Sequence, residues 1–375
     1  MPWMESTAMT QRRDFVALAR SPQANVAGLC RRFGIRRSTA YKWIARYLRE
    51  GPDGLTERSR RPHSSPCQVG EPMAELIGEI RRLYGWGGRK IQALLDGAVE
   101  GTPAPSTITN VLRRAGQLDT EESRKHSPTE RFERPQPNDL WQMDFKGDFP
   151  LRQGRCYPLT ILDDHSRFNV ALKACSCQRA QPVQTHLIQA FHHYGLPWQM
   201  LCDNGPPWAA GGGGFTHLSA WLIRLGITVL HGRPFHPQTQ GKDERFHRSL
   251  KAEVLRRQPM EDPGDAQECF DRWRQTYNHV RPHEALDMQT PSQHYRASER
   301  PYPTVLPAIE YGSGDQVRKV GANGRIRWQR RSVFVSEAFA GESVALRPTE
   351  CDGLLHVYYC HQKVARIDLR GHNVD

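Results

Sequence analysis

The chain has 375 residues, length enough for two to four domains, and a formal net charge of +12 that favours a polyanionic partner without specifying a fold. Its nine cysteines include no Cys-x-x-Cys pair, which argues against a zinc knuckle or disulfide framework and for reduced intracellular thiols. No apolar run reaches the length of a membrane span and the N-terminus carries no apolar signal segment, so a cytoplasmic protein is expected.

The basic excess is uneven: residues 1–60 hold 12 Lys and Arg against 5 Asp and Glu. A first helical module is predicted over 10–53. Val26, Leu29 and Cys30 make an apolar face, Gly34-Ile35 supplies a turn, and Ser38 is placed to cap a helix through Tyr41, Ile44 and Tyr47. This is a helix-turn-helix pattern, whose second helix would present Lys42 and Arg46 to DNA, with Arg36 and Arg37 at its entrance. A basic, Pro- and Ser-rich linker follows over 54–69. A second helix-turn-helix-like module is predicted over 70–118. Met73, Leu76, Ile77, Ile80, Leu83 and Tyr84 recur at helical spacing behind Pro72, and Ser106 is placed to cap a last helix that stops at Gly116. Packing against the first module would explain the same apolar faces. Residues 119–136 are charged, nearly without aliphatic side chains, and read as a linker.

From 137 to 296 the pattern is strands first, then alternating helices and strands, which suits a mixed sheet with helices on both faces. Pro158 to Leu162 and Phe168 to Leu172 flank Asp163-Asp164-His165-Ser166-Arg167 as a hairpin. Asp265 is placed to cap a later helix bearing Phe270, Trp273 and Tyr277. The tail, 303–370, alternates short apolar runs with the hairpin signals Asn323-Gly324 and Asp352-Gly353. It reads as a small all-β domain with a basic strand around Arg318 to Arg331.

Three acids stand in contexts that together suggest one chemistry. Asp144 lies on the polar face of the alternating run from Trp141 to Lys146, Asp203 ends the apolar run Met200-Leu201-Cys202, and Glu244 follows a helix start near Gly241. Hard divalent cations take oxygen ligands, and carboxylates on separate elements suit a pair of Mg²⁺ or Mn²⁺ ions that stabilise the attacking and leaving oxygens of a phosphodiester displacement. Asp163 and Asp164 rival Asp203 for the second position. On the helix, His247, Arg248 and Lys251 are expected to share the face of Glu244 and meet phosphates. Lys242, on a different face, is expected to matter less.

These motifs, with His236-Pro237-Gln238, Gly241, Tyr277-Asn278 and Arg281-Pro282-His283-Glu284-Ala285-Leu286, make the chain resemble bacterial insertion-sequence transposases with a retroviral-integrase-type (DDE) core behind helix-turn-helix segments. The resemblance implies a ribonuclease-H-like core and an SH3-like C-terminal barrel. It also implies Asp144, Asp203 and Glu244 as the catalytic metal ligands, and Lys251 as the basic residue seven positions after the catalytic Glu. Forty residues separate Asp203 from Glu244, against roughly thirty-five in that family, with Gly211 to Gly214 a place for the extra length. The function implied is a transposase that binds the terminal inverted repeats of its element, cleaves there and joins the ends to target DNA, as a homo-oligomer on double-stranded DNA. The alternatives are a catalytically inactive, domesticated DNA-binding regulator and a general ribonuclease-H-like nuclease.

Overall fold

The structure is a computed structural model that describes residues 7–59, 68–118, 133–210, 214–232, 241–257, 259–329 and 331–369. The His236-Pro237-Gln238 segment, Gly211 to Gly213, half of the first expected linker and most of the second lie outside the described residues. The chain divides into two compact units, Met1–Gln68 and Val69–Asp375.

The first unit is three helices, α1 (Ala8–Ala19), α2 (Val26–Arg32) and α3 (Arg37–Glu50), around Phe15, Val16, Cys30, Ala40, Trp43 and Leu55. Gly34 turns the chain between α2 and α3 with φ of 65°, a left-handed conformation that suits glycine. Ser38 does not cap α3. The helix begins one residue earlier, after Arg36, and has no side-chain cap.

In the second unit, α4 (Glu71–Tyr84), α5 (Gly88–Leu95) and α6 (Pro105–Arg114) close over their own core of Ile77, Ile91, Ile108 and Leu112, with Trp86 stacked on Tyr84. Gly88 is required here, because a Cβ would lie 2.4 Å from the Pro105 carbonyl oxygen. Val280 joins this cluster, so part of the apolar face is spent on the half of the unit that holds the central sheet. Pro105 occupies the first turn of α6 behind Ala104, which displaces Ser106 from the cap position.

The central sheet comprises β1 (Leu140–Phe145), β2 (Phe149–Pro150), β3 (Arg155–Asp163), β4 (Asn169–Cys175), β5 (Gln199–Cys202) and β8 (Thr228–His231); a separate short hairpin pairs β6 (Ala209–Ala210) with β7 (Gly214–Phe215). β3 pairs antiparallel with β1, β2 and β4, whereas β5 runs parallel to both β1 and β8. Helices α7 (Ala180–Tyr194) and α8 (His217–Arg224) share one apolar cluster with the sheet. Helices α9 (Gly241–Leu250) and α10 (Pro263–His279) share a second cluster with Leu162 and Leu172. A π turn, Lys251–Leu255, continues α9. The cap of α10 is Asp262, which accepts from the N–H groups of Gly264 and Asp265, so Asp265 lies inside the first turn.

The tail adds β9 (Gln316–Lys319), β10 (Arg325–Trp328), β11 (Arg331–Phe334), β12 (Ser343–Pro348), β13 (Leu354–Tyr359) and β14 (Gln362–Asp368). These make an open four-stranded sheet in the order β14-β13-β12-β9 and a β10-β11 hairpin, and no barrel closes among the described residues. The tail instead covers the edge of the central sheet. The Gln362 amide donates to Val229 O and accepts from Val229 N, each at 2.9 Å, satisfying exposed groups of edge strand β8. No described helix is long and apolar enough to cross a membrane.

Candidate active site

The parallel register of β1 and β5 pairs Leu140 with Gln199, Trp141 with Met200 and Gln142 with Leu201. Two residues farther along both chains, the same register brings Asp144 level with Asp203, at the carboxyl ends of adjacent parallel strands. Open α/β sheets bind ligands at such ends. Alternation along β1 buries Trp141 and Met143 on the apolar side and turns Asp144 to the other, where its side chain is 22% exposed. Asp203 is half-buried, and the Gly205 N–H donates to its Oδ1 at 3.0 Å.

Helix α9 buries Asp243, Phe246 and Leu250 and exposes Glu244, Arg248 and Lys251. Its inner side sits against aromatic Trp273 and Tyr277 of α10, both in edge contact with Phe246. Glu244 therefore projects from the outer side, while its charge is felt at Asp144. Burial first, then the charge of Asp203 and that of Glu244, push the Asp144 carboxyl up to about 6, against a hydrogen bond from the Phe145 N–H. Asp203 and Glu244 thus both act against ionisation of Asp144 across a partly open site.

His247 faces inward, not toward solvent with Arg248 and Lys251. Its Nε2 shares a 2.9 Å hydrogen bond with Thr160 Oγ1, and its Nδ1 lies 4.0 Å from Asp144 Oδ2. Thr160 in turn donates to the Asp144 carbonyl at 3.0 Å, as expected from the pairing of Asp144 with Thr160 in the β1-β3 ladder. Burial, reinforced by Lys146, lowers His247 to about 3, so the ring is neutral at physiological pH. The ring is thereby held by Thr160 beside Asp144 and not on the outer side of the helix.

Two charged groups near this site, Lys146 and Asp243, carried no expectation from the sequence, and a third, Lys242, was expected to matter little. Lys146, just past the end of β1, is lowered by burial and by Lys251, and its charge is also felt at His247, so two cations lie near each other on this side of the site. Asp243 is 1% exposed, and among the described residues neither carboxylate oxygen has a hydrogen-bond partner. Burial and then Asp144 and Asp164 raise its pKa well above the usual carboxylate range. Lys242 is not surface charge: its Nζ lies 2.6 Å from Asp164 Oδ1 with the lysine side chain 14% exposed. Inward-facing charge next to Glu244 has no sequence signal, because an isolated Lys-Asp pair at a helix start reads as solvated.

Asp163 and Asp164, the rival second acids, are fully buried and saturated with donors. Asp163 accepts from Asn138 N at 2.7 Å and from Ser166 N and Oγ at 2.8 and 2.6 Å. Asp164 accepts from Arg134 N at 2.8 Å and Gln142 Nε2 at 2.7 Å. Among the described residues no three His, Cys, Asp or Glu side chains converge as a ready-made metal site. The donor chemistry of Asp144, Asp203 and Glu244 nonetheless fits hard cations, and a bound cation would relieve the repulsion that raises Asp144.

In the first unit, Arg36, Arg37 and Lys42 are exposed, and Arg46 is half-buried with its guanidinium 5.1 Å from the centre of the Trp43 ring. Lys42 Nζ lies 5.2 Å from the same ring. The start and outer side of α3 therefore carry a basic surface.

Comparison with known proteins agrees with this architecture. Residues 134–237 and 225–291 match integrase core domains, 315–375 match the C-terminal domain of IS481 family transposases, and 11–63 and 39–112 match a helix-turn-helix domain and a homeodomain-like domain. An uncharacterized 31.7 kDa protein of insertion element IS407 from Burkholderia multivorans is 28% identical over 64% of this chain and 86% of its own length. A 39.2 kDa protein of insertion element IS476 from Xanthomonas euvesicatoria is 29% identical over 42% of this chain and 44% of its own. The Gag-Pro-Pol polyprotein of mouse mammary tumor virus is 30% identical over 32% of this chain but only 6% of its own length. The matches thus run in the order of a bacterial insertion-sequence transposase, with helix-turn-helix modules ahead of an integrase-type polynucleotidyl-transferase core.

Proposed function

We propose that the enzyme binds the terminal inverted repeats of an insertion sequence, cleaves the DNA there and transfers the freed 3′-hydroxyl ends to target DNA, acting as a homo-oligomer on double-stranded DNA. The observation that carries this reading is the level placement of Asp144 and Asp203 at the ends of adjacent parallel strands, where burial first, then Asp203 and least Glu244, raise Asp144 to about 6. Asp144, Asp203 and Glu244 are the residues that would hold two Mg²⁺ ions, with Mn²⁺ as a substitute. When bound, such ions supply Lewis-acid stabilisation to the attacking and leaving oxygens.

The remaining roles belong to the protein. Thr160 and the neutral ring of His247 orient Asp144 from behind. Lys251 and Arg248, exposed along the outer side of α9 and its continuation, hold phosphates flanking the scissile bond, with Lys146 adding positive charge from just past β1. Arg36, Arg37, Lys42 and Arg46 of the first unit anchor the repeat sequence through phosphates and base edges. No covalent enzyme intermediate is needed, since the nucleophile is water for cleavage and the 3′-hydroxyl for joining.

The test uses the full chain, Mg²⁺ and DNA carrying the repeats that flank the gene. Joined product that depends on both the repeat sequence and Mg²⁺ is the expected result. End-binding without metal-dependent joining would identify a regulator, and cleavage indifferent to repeat sequence a general nuclease.

A further inference from the structure

We propose that Asp164 is a positioning residue that ties the strand bearing Asp144 to the helix bearing Glu244, fixing the separation of the two acids. Asp164 is fully buried just beyond β3. Its Oδ1 accepts from Gln142 Nε2 at 2.7 Å and contacts Lys242 Nζ at 2.6 Å. Its carbonyl oxygen accepts from the same Nζ at 2.8 Å and from the Arg167 guanidinium, and its own N–H donates to Leu140 O at 2.9 Å.

The two partners of Oδ1 are placed alike. Gln142 is two residues before Asp144 on β1, so by strand alternation both side chains leave the same face. Lys242 is two residues before Glu244 in the first turn of α9. One carboxylate oxygen therefore joins both elements, each a fixed two-residue step from a proposed metal ligand.

Turn-building does not account for this arrangement. Asp163 performs that task, accepting from Ser166 N and Oγ within the hairpin. The side-chain partners of Asp164 come from outside the hairpin: Arg134, Gln142 and Lys242. Burying such an ion pair is a poor way to gain stability, because an apolar cluster of similar volume often does as well or better. Retaining charge here is consistent with a geometric role, as partners behind metal ligands commonly set ligand orientation.

The inference rests on the assignment of Asp144 and Glu244 as metal ligands, and the experiment separates the two ideas. Full-length Lys242→Met, Gln142→Leu and the double variant are compared with the parent and with Asp144→Asn. Three quantities are measured: thermal midpoint, Mn²⁺ binding in the absence of DNA by electron paramagnetic resonance, and joining rate as a function of Mn²⁺. We expect Lys242→Met to weaken Mn²⁺ binding by about tenfold and to regain part of its joining rate at high Mn²⁺. Lys242→Arg should restore much of the binding, and the double variant should lose less than the product of the single losses, because both act through one carboxylate. Parental Mn²⁺ binding by folded Lys242→Met or Gln142→Leu would overturn the positioning role, as would multiplicative losses. If Lys242→Met does not fold, Gln142→Leu alone decides in the same way. Asp144→Asn binding Mn²⁺ like the parent would instead remove the metal-site assignment itself.

Discussion

Two sets of acids border the same sheet and meet opposite fates. Asp163 and Asp164 are fully buried, and their carboxylates are filled by donors from the turn, β1, α9 and the segment before β1. Asp144 and Asp203 stand at open strand ends, Glu244 is exposed, and Asp144 is pushed up to about 6 by burial and by its acidic neighbours. Buried carboxylates with complete hydrogen bonding hold a fold together, and their loss leaves stranded donors. Carboxylates with open oxygens that repel one another are destabilising until something cationic arrives, so their presence is better explained by chemistry than by folding.

The strongest way to break that contrast is to neutralise each set in turn. Asp144→Asn, Asp203→Asn and Glu244→Gln should each lower strand transfer by roughly a thousandfold or more, about 4 kcal/mol of barrier, without lowering the thermal midpoint. Asp163→Ala should do the reverse, costing about 3–5 kcal/mol of stability measured by denaturant unfolding. Strand transfer by Asp203→Asn at the parental rate, with a dead Asp164→Asn of normal stability, would exchange the roles of the two sets.

A smaller effect follows from the raised pKa of Asp144. Its folded value of about 6 lies above the ordinary 3.8, so its contribution to stability is full below about pH 3.8 and is lost as pH rises through 6. With divalent ions chelated, Asp144→Asn should match the parent near pH 4 and exceed it above pH 6 by up to about 3 kcal/mol. Adding Mg²⁺ should stabilise the parent and not the variant. An identical pH dependence of the two melting curves would show that Asp144 is not under electrostatic stress.

On α9, Lys251→Ala should slow joining by about tenfold, while changing stability by less than about 0.5 kcal/mol. Lys242→Ala is no neutral control for it, since Lys242 is buried against Asp164 and its loss should also lower the melting temperature. Joining by Lys251→Ala at the parental rate would leave Lys251 as surface charge. The smallest effect belongs to the first unit. Lys42→Ala and Arg46→Ala should each weaken end-binding and reduce the salt dependence of log K by about one unit if they contact phosphate, with the larger cost to folding at half-buried Arg46.

Much of the molecule was legible because its signals are local. The hairpin around Asp163 to Arg167 and the β signals of the tail depend on periodicity and turn residues within a few positions. Caps were read less well. Ser38, Ser106 and Asp265 each lie within a turn of the true start, where a preceding Arg36, Ala104 or Asp262 takes the boundary. A cap depends on which residue leaves the helical conformation, and several neighbours can qualify by type alone.

The sequence by itself determined which residue types stand where: acids after two apolar runs and near a helix start, basic side chains along α3 and α9, and an order of helices, mixed strands and a β tail. Only the tertiary structure decided which of them face each other. At about 100° per residue, His247 lies between Glu244 and Asp243 on the helix wheel, so spacing left its side ambiguous until packing buried Asp243 and turned His247 toward Thr160 and Asp144. Lys242 lies on the side opposite Glu244, as its position implies, but that side is the interior. Helical geometry fixes angles between neighbours along one element, whereas inside and outside are set by what the rest of the chain brings to its surface.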